Sequence, residues 1–279
     1  MLIYLYTNDR AKVKSVEREI AARAAQVDNG AEPVDSGAEP VDSGAEPVDS
    51  GVERAERENA AFEQVDGRRL RGERTRKAIL AKAVDIASAE GLEGLSIGRL
   101  ATELRVSKSG LFAHFGSKQE LQLETIDAAS EIFEQQVWQP VAELEPGIVR
   151  LAALMDSWLA YFHKGVFSGG CFFSNAHHEY DSRPGPIRDE IASQKRRWMA
   201  AIVGHVRLAQ KLGQVRADVE PEQLAFELDA AGVLANSLWQ LNHDERAFER
   251  ASTAIRSRLD ASATAAGRRA LASYTPAAA

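Results

Sequence analysis

Lys108, Ser109, His114 and Lys118 are hydrogen-bond donors set within one short stretch, SKSGLFAHFGSKQEL, from Ser107 to Leu121. No carboxylate or thiol stands among them to make a nucleophile or an acid–base pair. Donors clustered at two helix starts suit a different chemistry, the gripping of anionic oxygens and base edges. Ser107 and Ser117 both read as N-caps, and a lysine follows each. The free N–H groups and positive dipole end of the second helix, with Lys118 beside them, make an anion site suited to a phosphate.

A second cluster, CFFSNAHHEYD, holds Cys171, His177, His178, Glu179 and Asp181. These are metal-ligand types. Yet His177 and His178 are adjacent, so on a helix they diverge by about 100°. Neither H-E-x-x-H nor a cysteine pair accompanies them, and no resident metal or other cofactor is expected. A cysteine nucleophile would need an orienting third group, and none can be named. Walker A and G-x-G-x-x-G are both missing from the chain.

The net charge of −7 argues against a nucleic-acid partner only until it is read by segment. The net negative charge comes largely from residues 1–66. The next piece, GRRLRGERTRK, carries Arg68, Arg69, Arg71, Arg74, Arg76 and Lys77 against Glu73 alone. The single cysteine excludes an internal disulfide and fits a reducing compartment. No apolar run approaches the ~20 residues of a membrane span, and the opening MLIYLYTNDR lacks a basic segment and a cleavage site. A cytoplasmic setting, away from membranes, is expected.

The elements that must position these groups are helical. GAEPVDS occurs three times, from Gly30, Gly37 and Gly44. Its proline and glycine break any heptad helix, so residues 1–67 read as an acidic, disordered leader, with short helices conceivable over 11–26 and 52–65. From Arg71 the period changes to that of helices: Ile79, Ala83, Ile86 and Ala87 form one stripe, and Gly91 is placed to end it. Ser96 caps a second helix with Ile97, Leu100, Ala101 and Leu104 inward. Ser107 caps a third over 108–115, with Val106 and Leu111 as a hydrophobic staple and Phe112 and Phe115 as anchors. Gly116 ends it, and Ser117 with Glu120 forms a capping box opening a fourth, through about Val137. Further helices are predicted over 147–164, 171–180, 186–212, 221–241 and 244–260, and the alanine-rich tail from Ala261 is expected to fray. With no alternating strand pattern, the fold class is all-α.

Two helices joined by a tight turn, the second short, make a helix-turn-helix from Ser96 to Phe115. The segment RTRKAILAKAVDIASAEGLEGLSIGRLATELRVSKSGLFAHFGSKQEL resembles the DNA-binding domain of the TetR family of transcriptional regulators. The family usually has tyrosine where Phe112 stands, so the phosphate bond of that hydroxyl is lost here. The resemblance implies a DNA-binding domain over 68–135, with Ser96, Ser107, Lys108, Ser109, Gly110, Phe112, His114, Lys118, Arg71 and Arg74 facing double-stranded operator DNA. It implies a ligand-binding and dimerisation domain over 136–262, followed by a flexible tail over 263–279.

In that second domain the expected effector pocket is mostly aromatic, lined by Trp158, Phe162, Phe172, Phe173, Trp198 and Trp239, with Asn175, His177 and His178 as polar groups. A homodimer is expected to pair through Leu224, Leu228, Ala231, Leu234, Ala235 and Leu238, with Phe248, Ala251, Ile255 and Leu259. The expected function is a repressor released from its operator by a small molecule. The alternatives are a helical scaffold using its acidic tail and a metal-responsive regulator using Cys171, His177 and His178.

Overall fold

The computed structural model describes residues 51–275, with side chains from residue 72. The leader with its three repeats, the possible helix over 11–26 and the side chains of Arg68, Arg69 and Arg71 lie outside the described residues. Of the described residues, 51–76 belong to one unit and those from Lys77 on to another, and the buried core, from Ile79 to Ala263, belongs to the latter.

Helix α1 spans Gly51–Gly94, interrupted at Gly91, where φ is 79° and ψ is 160°. That backbone conformation is essentially restricted to glycine. Ile79, Ala83, Ile86 and Ala87 are buried, as their spacing requires. Helix α2 (Ile97–Leu104) starts at Ser96, whose hydroxyl oxygen accepts from Arg99 N at 3.1 Å. Arg105 then turns the chain in the left-handed region. Helix α3 (Lys108–Phe115) starts at Ser107, which accepts from Gly110 N at 3.1 Å, and ends at Gly116. Val106 is largely exposed while Leu111 is buried, so the expected staple is open.

Helix α4 (Lys118–Phe133) starts at Ser117, which accepts from Glu120 N at 3.1 Å. The N–H of Ser117 donates to Phe115 O instead of to Glu120, so only half of the capping box forms. Beyond Phe133 the helix widens into a π-turn, Glu134–Trp138, then tightens into a 3-10 turn, Gln139–Val141.

The rest is α5 (Ile148–His163), α6 (Phe172–Tyr180), α7 (Pro186–Lys211), α8 (Pro221–Asn242), α9 (Arg246–Ser262) and α10 (Ala265–Ala272). The described residues contain no strand, only an isolated antiparallel bridge between Val215 and Ala263. Helix α5 is the central one, buried along its length from Ile148 to Phe162 and packed by α7, α8, α9 and α10. The expected fraying of the tail is not seen over 265–272: Thr264 caps α10 by accepting from Gly267 N at 3.1 Å, and α10 packs on α5.

The residues expected to pair two subunits serve the interior. Leu224, Leu228, Ala235, Phe248, Ala251, Ile255 and Leu259 are all buried within the one chain, because α8 and α9 pack on each other. The apolar stripe left on the outside of α8 is a different one: Phe226 (62% exposed), Leu234 (59%) and Leu241 (77%), with Ala230 between them. Of the predicted set, Leu234 lies on it.

Candidate functional site

On α3 the only fully buried side chains are Leu111 and Phe115, one turn apart. At about 100° per residue, Ser109 and Ala113 point directly away from that pair, Phe112 stands on one flank, and Gly110 and His114 on the other. All of these are exposed. Phe112 is therefore not the anchor expected of it: its ring is 56% exposed. A two-turn helix offers one i, i+4 pair to its neighbours, and Leu111 and Phe115 already take it. Lys108 folds across Gly98 of α2, its Cε about 3.5 Å from where a Cβ there would stand. Ser96 and Ser107 spend their oxygen lone pairs on caps. Arg74 is exposed.

Lys118, expected to hold a phosphate, is already engaged. Its Nζ donates to Glu93 Oε1 and to Glu93 O, both at 2.8 Å. The ammonium holds the Glu93 carboxyl below the usual carboxylate range. Behind this pair, Arg99 bridges Glu90 and Glu103 at 2.7 and 2.8 Å, and Lys82 reaches Glu103 at 3.0 Å. Arg99, helped by Lys82, drives Glu103 down to about 2.

Several polar residues of CFFSNAHHEYD are taken up in hydrogen bonds within the fold. Glu179 accepts from Leu92 N and Glu93 N, each at 2.7 Å, which satisfies the amides just past the Gly91 break. Tyr180 OH donates to Glu93 Oε2 at 3.2 Å, and Gln122 Nε2 donates to Leu92 O at 2.7 Å and to Tyr180 OH at 3.3 Å. Asn175, expected in a pocket, donates instead to Ser88 O at 2.7 Å and to Gly169 O at 2.9 Å. Gly169 itself lies so close to Ser88 that a Cβ would overlap the Ser88 carbonyl. Together these bonds tie α6 and the loop before it to the end of α1 and to α4. This polar joint is a feature that sequence reasoning missed.

Cys171 accepts from Ser174 N at 3.5 Å, and burial pushes its thiol up, away from the reactive thiolate. His178 Nδ1 lies 2.7 Å from Ser174 O. Among the described residues no three His, Cys, Asp or Glu side chains gather as a possible ligand set. Of the residues named in the metal-responsive alternative, Cys171 and His178 are both engaged with Ser174.

The aromatic residues form two groups, joined where Phe162 stacks with Phe248 at 6.5 Å. Phe133, at the start of the π-turn, meets Tyr161 and Trp198 at 5.5 Å and Phe173 at 6.0 Å. Trp158 joins them through Trp198 at 4.9 Å and reaches Phe162 at 4.9 Å. Phe172 is buried against Phe173. Within the first group Trp198 Nε1 donates to Asp229 Oδ1 at 2.8 Å, and Lys195 Nζ sits 2.6 Å from Asp229 Oδ2. Near them His177 Nε2 is buried without a hydrogen-bond partner, as is Tyr161 OH. Burial drives His177 down to about 4 and Tyr161 upward. Trp239 belongs to the other group, with Phe248 at 5.9 Å and His163 at 6.1 Å. Tyr161 and Asp229 were not singled out from the sequence, where a lone tyrosine or aspartate in an apolar helix carries no spacing signal.

Comparison with known proteins bears on both halves. The sequence model described as "Bacterial regulatory proteins, tetR family" matches residues 79–125, and that described as "Tetracyclin repressor-like, C-terminal domain" matches residues 147–255. The chain belongs to the TetR family. It is a DNA-binding regulator of transcription, not an enzyme. The helix-turn-helix of this TetR-family chain is α2 and α3, and α5 to α10 make its helical second domain.

Solved structures give the same fold. A TetR regulator from Chloroflexus aurantiacus J-10-FL is 23% identical with TM-score 0.65, covering 69% of this chain and 98% of its own. A TetR-family regulator from Cytophaga hutchinsonii is 14% identical with TM-score 0.61, covering 68% and 96%. AibR, solved in complex with isovaleryl coenzyme A and operator DNA, is 22% identical with TM-score 0.53, covering 64% and 95%. No curated protein sequence matches the chain. Among the described residues, no helix is long and apolar enough to cross a membrane.

Proposed function

We propose that this TetR-family protein is a homodimeric repressor that binds double-stranded operator DNA through α3 and leaves it when a small-molecule effector binds the second domain. The observation that carries the first part is the outward face of α3. A short, doubly capped helix presents Ser109, Gly110, Phe112, Ala113 and His114 to solvent while Leu111 and Phe115 alone hold it down. That is the geometry a major-groove helix needs. In this reading residues 68–135 are the reading head and 136–262 the sensing and pairing domain. Lys108 and Ser109 meet base edges. Lys118, with the N-terminus of α4, meets a phosphate after exchanging Glu93 for it. The hydroxyls of Ser96 and Ser107, which accept in their caps, donate to phosphate oxygens, and His114 gives a further contact to the DNA backbone. Arg71 and Arg74 open the head, where an arm can follow the backbone or minor groove.

The effector site in this reading is the aromatic group around Phe133: Trp158, Phe162, Phe173 and Trp198, with Tyr161 OH and His177 Nε2 as the placed polar atoms. Buried polar atoms without partners are costly unless something meets them. AibR is an example of this fold holding a small molecule and DNA. Pairing would use the exposed stripe of α8, Phe226, Ala230, Leu234 and Leu241, beside exposed Ala254, Ser257 and Ala261 of α9. Exposed apolar stripes of this kind mark association surfaces, and a two-fold dimer matches paired half-sites.

The test is a gel shift with the DNA flanking its own gene at two salt concentrations. A sequence-selective shift that weakens steeply with salt is expected. A shift without sequence preference, or none at either salt, would return the scaffold reading to first place.

A further inference from the structure

We propose that Phe112 reads thymine: its exposed ring packs on the 5-methyl group of a dT in the major groove. The inference rests on the reading that α3 enters that groove, and it adds the base that the helix selects. Phe112 is the one large apolar side chain on the outward part of α3, and its nearest outward neighbours, Ser109 and Ala113, are too small to shield it. It is not needed to hold the helix, because Leu111 and Phe115 are the residues buried beneath it.

A phenyl ring has no donor and no acceptor for phosphate oxygens or for the polar base edges. The apolar feature that distinguishes one base from another in the major groove is the thymine methyl. The small residues around the ring allow it to approach that methyl without a clash. Lys108 lies back across Gly98, so it does not cover the ring. Deoxyribose is the other apolar surface of a duplex, but it is the same for every base and would confer no preference.

The experiment first selects binding duplexes from a randomised DNA pool with the full chain. Each dT of the selected duplex is then replaced singly by dU, which removes the methyl and leaves base pairing intact. Affinities are read by fluorescence anisotropy at fixed salt for the wild type, Phe112→Ala and Phe112→Leu. In the wild type, one dU per half-site should weaken binding roughly fourfold, the worth of about one buried methyl group. Phe112→Ala should bind more weakly and become indifferent to that same replacement, while Phe112→Leu keeps part of the sensitivity. Since the ring is exposed, thermal melts of the three proteins should coincide, which separates recognition from folding.

Wild-type affinity insensitive to every dU, or the same dU pattern in Phe112→Ala, would overturn the proposal and place the ring on sugar or on protein. So would a selected site with no dT. Lys108→Ala and Ser109→Ala in parallel test the underlying reading: if neither alters sequence preference, α3 is not in the groove at all.

Discussion

Glu179 is predicted to hold the reading head to the second domain, and the strength of that hold follows from its bonds. Its two oxygens accept from Leu92 N and Glu93 N at 2.7 Å. Hydrogen bonds to a charged group contribute about 1.5–3 kcal/mol each when removal leaves the partner dry. Leu92 is buried, so its amide loses its acceptor; the Glu93 amide is exposed and takes water instead. Glu179→Ala should therefore cost about 2 kcal/mol, and Glu179→Gln, which keeps one acceptor oxygen, about 1 kcal/mol. For a unit of this size each kcal/mol moves the melting temperature by about 2–4 °C, so the alanine variant should melt roughly 4–8 °C lower. Hydrogen exchange gives the local readout: the Leu92 and Glu93 amides should lose protection ahead of their neighbours. Gly91→Ala attacks the same joint from the other side. It forces a Cβ to within 2.9 Å of the Glu179 carboxylate at a backbone angle of φ 79°, a strain of about 1–3 kcal/mol. Because both variants break one contact, the double variant should be less destabilised than the sum. If Glu179→Ala melts with the wild type and both amides stay protected, the joint does not bear on stability and the assignment fails.

Lys118→Ala should weaken DNA binding evenly across sequences and lower the salt slope by about one, read by anisotropy titrations at several salt concentrations. In the same assay Glu93→Gln should tighten binding by up to about fivefold, since a surface ion pair worth up to about 1 kcal/mol no longer competes for the lysine; weaker binding would mean that Glu93 positions Lys118 and does not withhold it. Replacing Phe226 and Leu234 by glutamate should yield a folded monomer by analytical ultracentrifugation with near-normal helical circular dichroism; an unchanged mass would place the pairing surface elsewhere. Burial drives His205 down to about 4 in the fold, whereas the unfolded chain titrates near about 6.5. Between those values the unfolded chain holds a proton that the folded chain lacks, so stability is full above about pH 6.5 and falls as pH drops towards 4, by up to about 3 kcal/mol. Urea unfolding of wild type and His205→Gln across that window should show a flatter profile for the variant, and parallel profiles would refute the assignment.

What the sequence made legible is what local chemistry decides. Ser96, Ser107 and Ser117 cap the helices they were expected to cap, each by accepting from the N–H three residues on, and Gly91 and Gly116 stand at the ends. The tail shows the same kind of signal overlooked: Thr264 caps α10 by that rule, but the alanines after it offered no apolar stripe. Phe112 was misjudged because a helix of two turns gives too few residues for periodicity to tell anchor from presented side chain. The faces of α8 were misjudged for another reason. Small and apolar residues lie on both sides of it, and only the position of α9 decides which side is interior. The joint was beyond reach, since Glu179 and Leu92 are brought together across 87 residues.

In the proposed reading, helix α6 is a lever between effector site and reading head. Phe173 and His177 share one stripe, one turn apart, towards the aromatic group. Asn175 and Glu179 share another, about 200° around the helix, and hold Ser88, Leu92 and Glu93 of α1. A rotation or shift of α6 that makes room for a ligand on the first stripe must disturb the bonds of the second. The size of the effect is bounded. Five hydrogen bonds cross from α6 to α1 and α4: two to Glu179, one from Asn175 to Ser88, and those joining Tyr180 to Glu93 and to Gln122. At about 1 kcal/mol net apiece they amount to about 5 kcal/mol. A swing from almost fully DNA-competent to almost fully released requires about 5.5 kcal/mol. The joint is thus worth about as much as such a switch demands. Directional bonds also have discrete made and broken states, which a sliding apolar contact lacks, so a ligand that favours the broken state can move the head as a unit.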